Sequence, residues 1–218
     1  MKKIFLCFTI AAMFSIGAFA QAGMRLNGYA LGVFNDKVDS YYDNTNYYSG
    51  TIKGGFLWGA GLEFMMAQNY GVEIIYMRQD TKAPITYYSG GVKNTNFDLG
   101  INYIMLGGTK YFRKPNSKVE GFGGAMIGVD AMSLKNPDNN KTTNKTFFAW
   151  GIRGGANIWA SENVGIKLQA QLISAVQSVG GGFYFGTGGS SAGIATYSSM
   201  YQFGLGGGLV FKLGNHKK

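Results

Sequence analysis

The chain has 218 residues, 35 of them glycine and only 3 proline, with 15% aromatic side chains, 14% charged ones and a formal net charge of +9. Glycine without a three-residue period excludes collagen, and the abundance of aromatic and branched residues excludes a disordered chain. A single cysteine and a single histidine leave nothing from which to build a disulfide scaffold or a His/Cys metal centre.

Residues 1–20 carry Lys2 and Lys3, an apolar run from Ile4 to about Gly17, and Ala18-Phe19-Ala20. That order predicts a secretory signal peptide cleaved after Ala20, because the run is too short to cross a bilayer as a helix. Cys7 lies inside the apolar run, too early to be a lipidation cysteine, and leaves with it. The remaining 198 residues hold 18 basic and 11 acidic side chains, a charge of +7. On an exported chain such a balance suits an anionic membrane surface and excludes nucleic acid as the partner.

No later stretch offers 18 consecutive apolar residues, so a membrane could be crossed only by strands closed into a barrel. The strand signal is strong. In 56–65, Phe56, Trp58, Ala60, Leu62 and Phe64 alternate with Leu57, Gly59, Gly61, Glu63 and Met65. In 148–158, Phe148, Trp150, Ile152, Ala156 and Ile158 oppose Ala149, Gly151, Arg153, Gly155 and Asn157. Val164, Ile166, Leu168, Ala170 and Leu172 oppose Gly165, Lys167, Gln169 and Gln171. The last stretch, 202–214, sets Phe203, Leu205, Leu209, Phe211 and Leu213 against Gln202, Gly204, Gly206, Gly208, Val210 and Lys212. Period two over about ten residues marks a strand whose faces meet different surroundings.

Four further segments fit less cleanly. Residues 24–35 permit either phase, and in 71–80 Val72, Ile74 and Tyr76 oppose Glu73 while Ile75 and Met77 blur the polar face. In 97–111 the alternation sets Phe97, Leu99, Ile101, Tyr103 and Met105 outward against Asp98, Gly100 and Asn102. In 121–133 Ala125, Ile127 and Val129 oppose Gly124, Gly128 and Asp130. The total is about eight strands. Short connections at 67–70, 113–119 and 161–163 alternate with long polar ones at 35–53, 79–96, 135–145 and 179–195. This rhythm predicts an all-β, antiparallel, up-and-down, eight-stranded transmembrane β-barrel over 21–214, with short periplasmic turns, longer outer loops and both termini in the periplasm. Residues 215–218 form a short periplasmic tail. Glycine, glutamine and lysine on the inner face fit a narrow lumen. Tyr29, Tyr70, Tyr76, Tyr103, Phe122, Phe148 and Tyr201 are candidates for interfacial girdles. A water-soluble sandwich or lipocalin-like barrel would instead put its large apolar residues inside.

Asn69-Tyr70-Gly71-Val72-Glu73, Glu162 to Lys167, and Gly208-Leu209-Val210-Phe211-Lys212-Leu213 carry a resemblance to the small outer-membrane β-barrel family, the OmpA/OmpX-like eight-stranded domain. The pattern covers nearly all of 21–214. The first two motifs look like the family's short hairpins. Gly208, Leu209, Phe211 and Leu213 look like the final-strand signal read by the outer-membrane assembly machinery. The resemblance therefore implies a bacterial outer-membrane location, with lipopolysaccharide, membrane lipid and that machinery as partners. The expected state is a monomer. About five residues follow the last strand, so no cell-wall tether is expected.

On the predicted inner faces Glu63, Glu73, Asp98, Lys110, Asp130, Arg153, Lys167 and Lys212 supply four charges of each sign. Such charges are tolerated in a narrow lumen when paired, and the expectation is a salt-bridge network that plugs it. Some of them could instead only snorkel to the mouth. Tyr41, Tyr42, Tyr47, Tyr48, Tyr87 and Tyr88, set among Asn, Asp, Ser and Gly, are candidate surface contacts of the outer loops. Membrane-interface tyrosines would look the same. Lys135, Lys141 and Lys145 could meet lipopolysaccharide phosphates.

Catalytic residues, a metal site and a cofactor are not expected. Enzymes acting on lipid A among such barrels resemble nucleophile, base and orienter systems that need a histidine near the outer leaflet, whereas His216 lies in the predicted periplasmic tail. The carboxylates Asp36, Asp39 and Asp43 read as loop solvation, and GTGGSSAG (186–193) lacks the Lys-Ser/Thr ending of a phosphate loop. The expected function is a non-enzymatic structural and surface-interaction barrel with a largely plugged lumen. A small-solute channel and a lipid A enzyme are the alternatives.

Overall fold

A computed structural model describes residues 23–43, 46–67, 69–88, 91–176 and 200–213. The predicted signal segment, the connection 179–195 and the tail 215–218 lie outside them. The described strands, in chain order, are β1 (Met24–Val33), β2 (Asp36–Asp43), β3 (Asn46–Ile52), β4 (Gly55–Ala67), β5 (Tyr70–Tyr88), β6 (Val92–Arg113), β7 (Val119–Lys135), β8 (Thr142–Trp159), β9 (Val164–Val176) and β10 (Met200–Leu213). All pairings are antiparallel.

Side-chain alternation decides which way the sheet curls. On β10 Gln202, Gly204 and Val210 are buried while Phe203, Leu205 and Leu209 are exposed. β4, β8 and β9 alternate in the same sense, with Trp58, Ile152 and Leu168 outside and Glu63, Arg153 and Lys167 inside. Eight strands close a ring: β1 pairs with β4, each strand from β4 to β10 pairs with the next, and β10 returns to β1. The pairing path Met24, Phe64, Val72, Gly108, Ala125, Ile152, Leu172, Phe203 comes back to β1 at Phe34, whose N–H donates to the Phe203 carbonyl at 3.0 Å. One circuit thus climbs from residue 24 to residue 34, a stagger of ten residues. With strands about 4.8 Å apart and rising about 3.3 Å per residue, this stagger sets a tilt of about 40° and a backbone radius of about 8 Å. A bore of that width is filled by the side chains that point into it.

The outer wall is apolar over a continuous belt that includes Ile74, Ile104, Leu106, Ile127, Ile152, Ile166 and Leu205, each roughly half exposed. No water-soluble monomer presents an apolar band encircling it; hydrocarbon is the solvent that tolerates it. Among the described residues no helix is long and apolar enough to cross a membrane.

β6 is the correction to the sequence reading. Phe97, Leu99, Ile101, Tyr103 and Met105 all point inward and are buried, while Asp98, Ile104 and Leu106 lie outside. The strand runs for 22 residues and its wall changes solvent along the way. Beside Ile104 and Leu106 the outside is lipid; from Asn102 through Gly100 to Asp98 and Asn96 it is polar. Beyond the belt the sheet obeys the soluble rule, apolar inside and polar outside, so an outward phase for Phe97 and Leu99 was the wrong assignment.

That extension also replaces two predicted loops. Residues 79–96 are mostly the outer ends of β5 and β6, paired from Gln79↔Ile101 to Tyr88↔Val92. Much of 35–53 is the β2–β3 hairpin, whose β3 pairs with β5 from Tyr48↔Tyr87 to Gly50↔Ile85. Ala83, Ile85, Phe97, Leu99, Met132 and Leu134 form the extension's core, with Ile52 and Tyr87 packed against it. β1 takes the phase that the sequence left open: Arg25, Asn27, Tyr29, Leu31 and Val33 point inward.

Two arginine substitutions on the outer face of β6 test where lipid gives way to water. Leu106→Arg should cost about 2–4 kcal/mol of unfolding free energy in vesicles. Asp98→Arg should stay within about 0.5 kcal/mol of the parent. Urea titration followed by tryptophan fluorescence reads both, and equal costs would overturn this placement of the belt.

Candidate functional site

The lumen gathers the buried charges, and it is built in two halves. Nearest the short turns, the Glu120 carboxylate of β7 receives Arg25 of β1 through both terminal nitrogens, each at 3.2 Å. The Nε of Arg113 donates to the same carboxylate, as do Trp159 Nε1 at 3.2 Å and Asn157 Nδ2 at 3.4 Å. The Arg25 guanidinium also lies over the Tyr111 ring at 4.5 Å. Tyr111 donates its hydroxyl to both oxygens of Glu63, at 2.6 and 2.7 Å.

The next group is centred on Glu73 of β5. Arg153 of β8 reaches across the bore to it at 2.6 Å. Asn27 Nδ2 donates to Glu73 at 2.8 Å, and the Tyr29 hydroxyl donates to it while accepting from Arg153 Nη1 at 3.0 Å. Arg153 Nη2 also donates to Thr109 Oγ1 at 2.8 Å. The Lys167 ammonium lies 4.4 Å from the Phe122 ring centroid. Removing charges this deeply from water is costly, and the saturation of the Glu73 and Glu120 oxygens with charge-assisted bonds is what offsets it.

Glycines make the room. Glu63 and Glu73 face each other in register across β4–β5, an arrangement in which two carboxylates would repel. A Cβ at Gly61 would sit 2.0 Å from Glu73 Oε1, and one at Gly71 would sit 2.2 Å from Glu63 Oε1. Each carboxylate therefore lies over the other strand's glycine. The pair diverges toward separate partners.

The half farther from the short turns is apolar by contrast. Leu31, Leu57, Met77, Met105, Met126 and Ile173 fill the bore, with a Tyr103 hydroxyl to Gln202 bond at 2.9 Å; nearer the ionic half, Gln169 donates to Gln171 at 2.8 Å. Asp130 is buried in the apolar half.

Of the eight predicted lumen charges, Glu63, Glu73, Arg153 and Lys167 come together, and Asp130 lies apart. Lys212 is half-buried at the rim with its ammonium 3.9 Å from the Trp159 ring centroid. Asp98 and Lys110 are corrections: both are outside, because the β6 phase is reversed. Lys110 places its ammonium against the rings of Tyr70 and Phe112 at 5.6 and 5.7 Å, a position where a long cation reaches the interface. Arg25, Glu120, Arg113, Tyr29 and Tyr111 were not read as lumen partners. Glu120 had a usable signal, since counting back from Asp130 in steps of two reaches it. Tyr29, Tyr103 and Phe122, read as girdle candidates, are inward, whereas Tyr70, Tyr76, Phe148 and Tyr201 are exposed on the wall.

The side chains of Tyr41, Tyr42, Tyr47, Tyr48 and Tyr88 lie outside the described residues. Tyr87 packs against the extension core, its ring 6.3 Å from that of Phe97. Asp36, read as loop solvation, accepts the Tyr201 N–H at 2.9 Å. On β10 Leu209 and Leu213 face outward. Among the described residues no group of three or more His, Cys, Asp and Glu side chains is placed to hold a metal ion.

No protein-family model matches the chain, and no curated protein matches it by sequence. Solved structures do. Neisserial surface protein A (NspA) superposes with a TM-score of 0.56 at 12% identity over 87% of this chain and 97% of that one. The outer membrane protein OprG from Pseudomonas aeruginosa gives 0.53 at 12% identity over 89% and 97%. The fold is that of the small eight-stranded outer-membrane barrels.

The Arg153–Glu73 pair yields an asymmetric prediction. Arg153→Met leaves a buried carboxylate without its cation and should cost about 3–5 kcal/mol. Adding Glu73→Gln removes the orphaned charge and should recover more than half of that loss in the same urea titration. A single variant as stable as the parent would show that the pair carries no structural load.

Proposed function

We propose that the chain is a non-enzymatic barrel of the bacterial outer membrane, with a sealed lumen, that supports the envelope and presents a protruding β-sheet to the cell's surroundings. The observation that supports this reading is what fills the bore: an ionic network centred on Glu73 and Glu120 in one half and packed side chains such as Leu31, Met77 and Ile173 in the other. The apolar belt and the export-type N-terminus support the location. The lengths of β5 and β6, 19 and 22 residues, support the surface role, since about 9–11 residues suffice to cross a bilayer.

In this reading the short turns face the periplasm and the extension faces outward. Membrane lipid and lipopolysaccharide are the surrounding partners, and the assembly machinery reads the end of β10. The chain acts as a monomer, because ring closure leaves no sheet edge within the belt for a second copy to pair with.

A small-solute channel is the rival that the polar half of the lumen favours, since that network could rearrange under voltage. Planar-bilayer conductance of the refolded protein separates the two. The sealed reading expects no steady current above a few tens of picosiemens, roughly the level of a water-filled bore. A steady current above that level would replace it with the channel.

A further inference from the structure

Asp130 on β7 is fully buried, and neither carboxylate oxygen accepts a hydrogen bond from any described residue. Two neighbours in register, Tyr103 on β6 and Phe147 on β8, flank it. Gln79 on β5 is the diagonal neighbour of Tyr103, since Met77 pairs with Tyr103 and Gln79 with the residue two further out, Ile101. Gln79 is also fully buried, with neither amide atom bonded to a described residue. Tyr103 gives its hydroxyl proton to Gln202 Oε1, which leaves the phenol oxygen's lone pairs free. Asp130, Gln79 and Tyr103 thus bring a carboxylate, an amide oxygen and a phenol oxygen to one level of the bore. Apolar side chains bound that level on both sides, Ile101, Met132 and Phe147 above and Met105 and Ala149 below.

The charge of the bore is unbalanced in the same place. The fully buried charges among the described residues are Glu63, Glu73, Glu120 and Asp130 against Arg25, Arg153 and Lys167. The three cations all belong to the half near the short turns. Arg153 lies six residues along β8 from Phe147, about 20 Å of strand. Lys145, two residues beyond Phe147, forms no ion pair with Asp130 in any of the four among the described residues. A carboxylate enclosed this way needs one positive charge or loses its own.

We infer that this layer is a binding site for one hard monovalent metal cation, held by the Asp130 carboxylate with oxygen donors from Gln79 and Tyr103. One negative charge is neutralised by one monovalent ion, and uncharged oxygen ligands suit sodium or potassium better than a softer metal. The cation locks β5, β6 and β7 together at the level where the wall leaves the membrane. The site contributes to stability without opening the bore, because the ionic network below stays closed.

The test is thermal unfolding of the protein refolded in phosphatidylcholine vesicles, read by gel mobility, in lithium, sodium, potassium or choline chloride at equal ionic strength. The midpoint should be about 3–6 °C higher in the best metal chloride than in choline. Asp130→Asn should erase that difference. Should Asp130→Asn fail to refold, Gln79→Met, which keeps the carboxylate, should raise the metal concentration for half the effect about tenfold. Equal midpoints in all four salts would mean that Asp130 is protonated or satisfied by Lys145, and would overturn the site. So would an Asp130→Asn protein that still distinguishes the cations, or a Gln79→Met protein with an unchanged half-effect concentration.

Discussion

Backbone pairing without water is the constraint from which the other features follow. A strand surrounded by hydrocarbon must have both edges satisfied by other strands, and for an up-and-down sheet that means closure of the last strand onto the first. Here β10 meets β1 from Met24↔Leu213 to Val33↔Gly204. The approach at this seam is close enough that a Cβ on Gly208 would lie 1.7 Å from the Gly28 carbonyl oxygen. Closure with eight strands and a ten-residue stagger then fixes the bore, and the bore fixes what can stand in it.

A bore of about 8 Å backbone radius cannot hold bulk water beside side chains, so an inward group is favoured when it is packed or paired. The two halves of the lumen solve this differently. Near the short turns, carboxylates and guanidinium groups from opposite walls meet and saturate one another, with inward glycines providing the space. Toward the outer end, leucine, isoleucine, methionine and tyrosine fill the section as they would fill a soluble core. One half is thus held by polar pairing and the other by dispersion packing.

The protruding sheet continues this logic in a new solvent. β5 and β6 leave the lipid with their inner faces unchanged and their outer faces converted from Ile104 and Leu106 to Asn102 and Asp98. The same strands therefore belong to two environments, and the β2–β3 hairpin widens only the part that stands in water. The protruding sheet and the ionic network thus stand at opposite ends of the barrel.

Most of the ring was legible one strand at a time. For β4, β8, β9 and β10 the two faces meet lipid and lumen over their whole belt, so the alternation of Trp58 with Glu63, Ile152 with Arg153, or Leu168 with Lys167 states the phase directly. Alternation misled on β6, where the outside changes from lipid to water and an apolar residue changes its meaning with height. It was silent on β1, where both phases carry apolar residues, and so Arg25 went unplaced. Asp98 and Lys110 were misassigned through that one reversed strand. Pairing was beyond reach for a different reason: Arg25 finds Glu120 95 residues away and Arg153 finds Glu73 80 residues away. Local periodicity reports which face a residue occupies, because that is set by the backbone's two-residue repeat. Which opposite wall it meets depends on the stagger of the closed ring, a quantity that no single strand contains.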